Sequence, residues 1–266
     1  MTEPNHSGAV APAHAATIAD QFTRQAALFA SSPALHAQAA LDILVNAARP
    51  LATDTALDVA CGPGSVVLAF AKRVQRAFGL DATAAMLEQA RQAAAKSDTD
   101  NVAWHQGSVY ALPFADGAFD IVSCRFAFHH LERPAEAFAE MVRVCRAGGR
   151  IVLCDAVASD DPRKAEAFNR MECFRDPSTV EFRPLSVLLD LFGAAGLPAP
   201  DMRTYQVPVE RERLIIASFP VNDDRTALRA MLDAAVDGDP MGVNARRDGN
   251  TMRFDYPAVV LVAEKR

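Results

Sequence analysis

The chain has 266 residues, half of them hydrophobic and 23% charged, which is enough for one large domain with a substantial core. A net charge of −6 with no basic block argues against nucleic acid as the main partner, and no apolar run reaches membrane-spanning length. Five cysteines (Cys61, Cys124, Cys145, Cys154 and Cys173), odd in number and without a C-x-x-C pair, suggest a reduced, cytoplasmic protein with no structural metal.

Residues 1–17 are rich in Ala, Pro and His and aperiodic, and read as a loose tail; no Lys or Arg precedes Arg24, so a secretory or transit signal is poorly supported. From Ile18 to Ala48, Ala and Leu recur at helical spacing, interrupted by "SSP". Two helices are expected, the second capped by Ser32 with Pro33 as its first residue.

Regular alternation follows. "TALDVA" is a strand and "SVVLAFAKRV" a helix; "QRAFGLD" is a strand and "TAAMLEQARQAAAK" a helix with Thr83 as cap. "NVAWHQGS" and "FDIVSCRFAF" are strands. "PAEAFAEMVRVC" is a helix opened by Pro134 and stopped by "RAGG", and "GRIVLCDA" is a fifth strand. This spacing is the mark of an open, mostly parallel sheet. Beyond Ala156, helices are expected at "DDPRKAEAFNRMECFRD" and "PLSVLLDLFGAAGL", then a strand at "MRTYQVPVE". Two more helices cover roughly Arg211–Ser218 and Asp223–Val236, and "FDYPAVVLVAEK" forms a last strand.

The turn in "LDVACGPGSVVLAFA" poses the functional question. Glycine admits a ligand to the main chain because it has no Cβ. A dinucleotide fingerprint wants a third glycine where Val67 stands, and Asp58 is ill placed beside a phosphate. A P-loop lacks its Gly-Lys-Ser/Thr ending. S-adenosylmethionine, cationic and free of phosphate, suits Asp58 and the two glycines better. Asp81, ending the second strand, could accept from ribose hydroxyls in either nucleotide; Asp58 together with Asp81 favours S-adenosylmethionine.

"LDVACGPG", "GLDATAAMLEQAR", "QGSVYALPFADGAFDIVSCRFAFHHL" and "EMVRVCRAGGRIVLCD" occur in that order. Together they resemble class I S-adenosylmethionine-dependent methyltransferases related to the ubiquinone/menaquinone-biosynthesis C-methyltransferases, well over about Gln21–Asp155 and more loosely beyond. The resemblance implies an α/β fold with a Rossmann-like, seven-stranded, mostly parallel sheet and an antiparallel last strand. It adds an N-terminal helical lid (18–50), a cofactor-binding core (51–156), an inserted helical cap and acceptor region (157–250) and a closing strand (251–266), in a single domain.

It also implies contacts. Asp58, Ala60, Gly62 and Gly64 would surround the methionine part and ribose, and Asp81, Ala82 and Met86 the ribose and one adenine face. Gly107, Ser108 and Val109 would meet the adenine edge, and Arg125 and Phe126 would lie under the methionine part. Relatives usually carry Asp where Ser108 stands, so the adenine contact should be weaker here. Phe22, Arg24 and Phe29, in a match to the lid pattern, would cover the cofactor.

The implied activity is methyl transfer from S-adenosylmethionine to a small-molecule acceptor, leaving S-adenosylhomocysteine, with no nucleic acid and no membrane insertion; a homodimer stays open. His129 is the first candidate for a general base, since imidazole titrates near neutrality, with Glu172 as fallback. "HHL" can equally be a packed junction between strand and helix. Glu172, Arg175 and Asp176 are candidates for contact with substrate, or simply for a solvated helix end. "SDDP" (Ser159–Pro162) fits helix capping better than magnesium binding, and Asn244–Phe254 fits a chain turn better than a pocket wall. Phe168, Met171 and Phe174 read as core. Two alternatives stay open: a cofactor-binding protein of this fold that catalyses another step or none, and a nicotinamide-dependent oxidoreductase.

Overall fold

A computed structural model describes residues 12–30, 37–249 and 251–266. Two helices, α1 (Pro12–Ala30) and α2 (Gln38–Ala47), precede an alternating core: β1 (Thr55–Val59), α3 (Ser65–Ala71), β2 (Arg76–Asp81), α4 (Ala84–Lys96), β3 (Val102–Gln106), β4 (Phe119–Arg125), α5 (Pro134–Val144) and β5 (Cys145–Ala156). The remainder is α6 (Pro162–Arg175), α7 (Leu185–Ala194), β6 (Asp201–Glu210), α8 (Arg211–Ile216), α9 (Arg225–Ala234), β7 (Arg246–Asp248) and β8 (Thr251–Glu264).

The sheet runs β3-β2-β1-β4-β5-β8-β6, parallel from β3 to β5, with β8 antiparallel to both β5 and β6. These seven strands match the expected sheet. An eighth, β7, adds a short hairpin to β8; its residues Arg246, Arg247 and Asp248 are exposed and charged, so no apolar alternation announced it. The chain turns there, as expected of Asn244–Phe254, but Arg253 of the same stretch also lines the cavity described below, against the expectation that this stretch forms no pocket wall.

The central strands β1, β4 and β5 are mostly buried on both faces because helices cover both, while the edge strand β3 is only partly buried. Leu57, Val59, Val122 and Leu153 pack with Phe138 and Met141 of α5 and Phe192 of α7. Ala56, Ile121, Val152 and Val260 pack on the other side with Leu44 of α2 and Val67 and Phe70 of α3. A third cluster, including Phe168, Met171, Phe182, Leu228, Leu232 and Phe254, gives the C-terminal helices their own core, with Phe174 packed against it.

Several boundaries differ from the sequence reading. The first helix starts at Pro12 rather than Ile18, because the alanines before Ile18 are strong helix formers. Residues 1–11 of the expected tail, and Ser32 and Pro33 of the expected second cap, lie outside the described residues. "RAGG" belongs to β5, whose pairing with β4 is irregular between Phe119 and Ile121. Thr83 sits at the start of α4 but makes no side-chain cap bond; the Asp81 carboxylate accepts from the Thr83 N–H instead. Asp161 caps α6 by accepting from the Arg163 N–H, as "SDDP" suggested.

Candidate active site

The strand order reverses between β1 and β4, and the crevice outside the carboxyl ends of the strands at such a point is where open α/β sheets bind ligands. A cavity of about 1010 Å³ opens there, at the upper end of the range for a single small ligand. Of the expected cofactor residues, all but Gly64 line it.

The floor comes from the loop after β1. Ala60 and Phe126, at the ends of β1 and β4, hold φ of 56° and 54°, backbone strain placed on the cavity wall. Gly62 (φ 52°) has nothing within 4 Å of where a Cβ would project, so its backbone is open to a ligand. Gly64 (φ 86°) differs: a Cβ there would sit 2.6 Å from the Trp104 ring, so this glycine serves packing between α3 and β3 rather than the wall.

Asp58 is buried and accepts from the Ser123 hydroxyl at 2.6 Å. Burial pushes its carboxyl up to about 7, against the opposing effects of Ser123 and the Arg125 charge. Asp81 is also raised by burial, although N–H bonds from Thr83 and Gly62, both 2.8 Å, oppose it. It therefore shapes the glycine loop besides facing the cavity. Met86 and Val109 supply apolar walls, and the Ser108 hydroxyl accepts from the Tyr110 N–H at 3.2 Å.

Above lies α1. Phe22 and Phe29 line the cavity, and Phe22 meets the His130 ring edge-on at 4.9 Å. Arg24 does not: its guanidinium lies over Phe219 at 4.2 Å and pairs with Asp20, because its helix face turns outward.

His129 is buried in the 3₁₀ turn Phe128–His130. Its Nδ1 lies 2.7 Å from Asp155 Oδ1, and the Phe182 ring stacks on it at 4.1 Å. Asp155, missed from sequence, ends β5 beside β4; an acidic residue closing the neighbouring strand was the signal available. His130 is different. Burial, reinforced by neighbouring His129, pushes its imidazole down to about 3, so it is neutral.

Glu172, Arg175 and Asp176 all line the cavity. Glu172 is fully buried: Oε2 takes the Arg175 guanidinium at 2.7 Å and Oε1 accepts from the Tyr256 hydroxyl at 2.7 Å. With both oxygens engaged, one by a cation, Glu172 is unsuited to the fallback role of base. It fixes Arg175 and Tyr256 instead. Among the described residues no group of three or more His, Cys, Asp or Glu could hold a metal, and no helix is long and apolar enough to cross a membrane.

This wall fits S-adenosylmethionine on its own chemistry. A buried carboxylate whose burial outweighs the nearby Arg125 charge, a glycine backbone open to the cavity and an apolar shelf at Met86 suit a ligand with a cationic end and a planar base.

Comparison with known proteins agrees. Residues 57–153 match the family model described as methyltransferase domain. The chain is 32% identical over 228 residues to the uncharacterized methyltransferase YcgJ of Bacillus subtilis, covering 85% of this chain and 90% of that protein. The crystal structure of YcgJ superposes with a TM-score of 0.78 over 86% of this chain and 99% of that chain. The ubiquinone/menaquinone biosynthesis C-methyltransferase UbiE of Roseobacter denitrificans is 37% identical over 123 residues, 45% of this chain and 49% of that protein. The geranyl diphosphate C-methyltransferase of Streptomyces coelicolor, solved with S-adenosyl-L-homocysteine, shares the fold at a TM-score of 0.60 and 17% identity, over 86% of this chain and 79% of that one.

Proposed function

The chain belongs to the class I S-adenosylmethionine-dependent methyltransferases, and from that membership we propose that it methylates a neutral, largely apolar small molecule with His129 as general base. The observation that carries this reading is one continuous cavity. His129 shares its wall with Asp58, Gly62 and Asp81, and much of the remainder is apolar: Ile18, Phe22, Leu28, Phe29, Phe182, Val207 and Leu214.

When bound, S-adenosylmethionine would supply an electrophilic methyl group on a sulfonium. Asp58, Ala60 and Gly62 would hold its methionine part and ribose, and Asp81, Ala82 and Met86 the ribose and adenine. Gly107, Ser108 and Val109 would meet the adenine edge, and Arg125, Phe126 and Phe22 would complete the wall around the methionine part. Methyl transfer is an in-line displacement, so the chain's main work is to align the acceptor and exclude water. α1 and the aromatic wall do both.

A base is needed because a neutral acceptor X–H must lose its proton as X takes the methyl. The buried carboxylates near the acceptor space are already committed: Glu172 to Arg175 and Tyr256, and Asp176 to Gln25 and Ser178. His129 has one ring nitrogen engaged and the other left for the acceptor.

The test is methyl transfer from labelled S-adenosylmethionine to a panel of apolar hydroxyl, amine and thiol acceptors, with wild type and His129→Gln. A neutral apolar acceptor methylated by wild type, with turnover reduced about a hundredfold or more in the variant, is expected. Equal turnover in the two proteins would remove His129 as base.

A further inference from the structure

The reaction needs a base that presents a bare ring nitrogen to the acceptor, and the tautomer of His129 decides whether it can. Three observations fix that tautomer. Asp155 is 2% exposed at the end of β5, and it does not line the cavity itself. Its Oδ2 accepts from the His129 backbone N–H at 3.1 Å, and its Oδ1 accepts from the Ala156 N–H at 2.8 Å. The same Oδ1 faces His129 Nδ1 at 2.7 Å. A carboxylate already serving two backbone donors acts as acceptor, so Nδ1 is the nitrogen that carries hydrogen.

The ring has little freedom to turn away. Phe182 stacks on one face within 13° of parallel, and the His130 ring lies 4.1 Å off. The backbone is clamped as well. The His129 carbonyl accepts from Val180 and Glu181 N–H at 2.9 and 3.0 Å. The Arg183 guanidinium donates to the carbonyls of Phe128 and Leu131, on either side of the turn, at 2.7 and 2.8 Å.

We infer that Asp155 is the positioning residue for the proton step: it holds His129 as the Nδ1–H tautomer, so that Nε2 brings its lone pair to the cavity. The acceptor's proton passes to Nε2 and the methyl takes its place on X. The resulting imidazolium keeps its Nδ1–H bond to Asp155, whose charge stabilises it. Asp155 touches neither reactant; it acts through His129. The inference rests on the reading of His129 as base, but the two fail separately.

The experiment reads the tautomer directly and needs no acceptor. Protein labelled with ¹⁵N-histidine and saturated with S-adenosylhomocysteine is studied by NMR above the imidazole titration range, with His129→Gln identifying the resonances. Wild type should show protonated Nδ1 and bare Nε2. In Asp155→Asn one acceptor oxygen replaces two and an NH₂ group enters, so the Nδ1–H preference should disappear while S-adenosylhomocysteine affinity stays within about twofold.

An Nε2–H tautomer in wild type overturns the inference, and so does a folded Asp155→Asn protein that keeps the wild-type pattern. If that variant does not fold, the wild-type spectrum alone decides. Loss of the base reading shows elsewhere, as unchanged turnover in His129→Gln.

Discussion

Asp58 shows how a single buried group would tie ligand binding to pH. Burial moves its carboxyl from 3.8 up to about 7 in the folded chain. A folded value above the unfolded one means that its contribution to stability is present in full below about pH 4 and is lost as pH rises through 7. A cationic ligand group favours the carboxylate, so S-adenosylhomocysteine should bind roughly tenfold more weakly per pH unit below about 7 and level off above it. Calorimetry across pH checks this; Asp58→Asn should flatten the profile, and an unchanged slope in the variant contradicts the assignment. The two turn glycines separate in the same way. Gly64→Ala forces a positive φ and a clash with Trp104, and should cost roughly 2–5 kcal/mol of stability in urea unfolding. Gly62→Ala meets no neighbour and should cost about 1–2 kcal/mol, with its larger effect on S-adenosylhomocysteine affinity. Wild-type stability in Gly64→Ala would refute the packing role.

At the scale of elements, the N-terminal helix α1 is fastened by a buried polar chain. Gln25 is fully buried and donates to Asp176 Oδ2 at 2.9 Å; Asp176 accepts from the Ser178 hydroxyl at 2.5 Å, and the Ser178 carbonyl lies 3.0 Å from His130 Nδ1. Gln25→Ala should weaken this attachment by about 1–3 kcal/mol. Hydrogen exchange should quicken over residues 12–30 with strand protection unchanged, and unaltered exchange in α1 would contradict the latch. The core elements were legible in the sequence because short, largely apolar strands alternate with helical patterns. Other features depend on contacts that periodicity does not carry. The fate of Glu172 was half visible, since Arg175 lies one helical turn on, but Tyr256 arrives from 84 residues away. Asp155 reaches His129 across 26 residues through the β4–β5 pairing, and Gly64 is explained only by Trp104 lying over it.

For the whole molecule, the sheet divides stability from chemistry. The buried Asp54–Arg150 ion pair joins the start of β1 to β5 at the amino ends of the parallel strands. Asp58, Asp81, Gly107, Phe126, His129 and Asp155 gather at or just beyond the carboxyl ends, where a crevice exists because the strand order reverses. The C-terminal helices, packed on their own core, then roof the crevice with side chains from α6, β6, α8 and β8. This arrangement explains why the cofactor half was readable from motifs while the acceptor half was not: its wall is assembled from segments far apart in the chain. Cofactor binding in this crevice through Asp81 is the central expectation. Calorimetric titration of wild type and Asp81→Ala with S-adenosylhomocysteine tests that. Saturable binding by wild type that weakens at least ten- to a hundredfold in the variant is predicted, since each charge-assisted hydrogen bond is worth roughly 1.5–3 kcal/mol. A folded wild-type protein that does not bind, or an Asp81→Ala protein that binds as tightly as wild type, would contradict it.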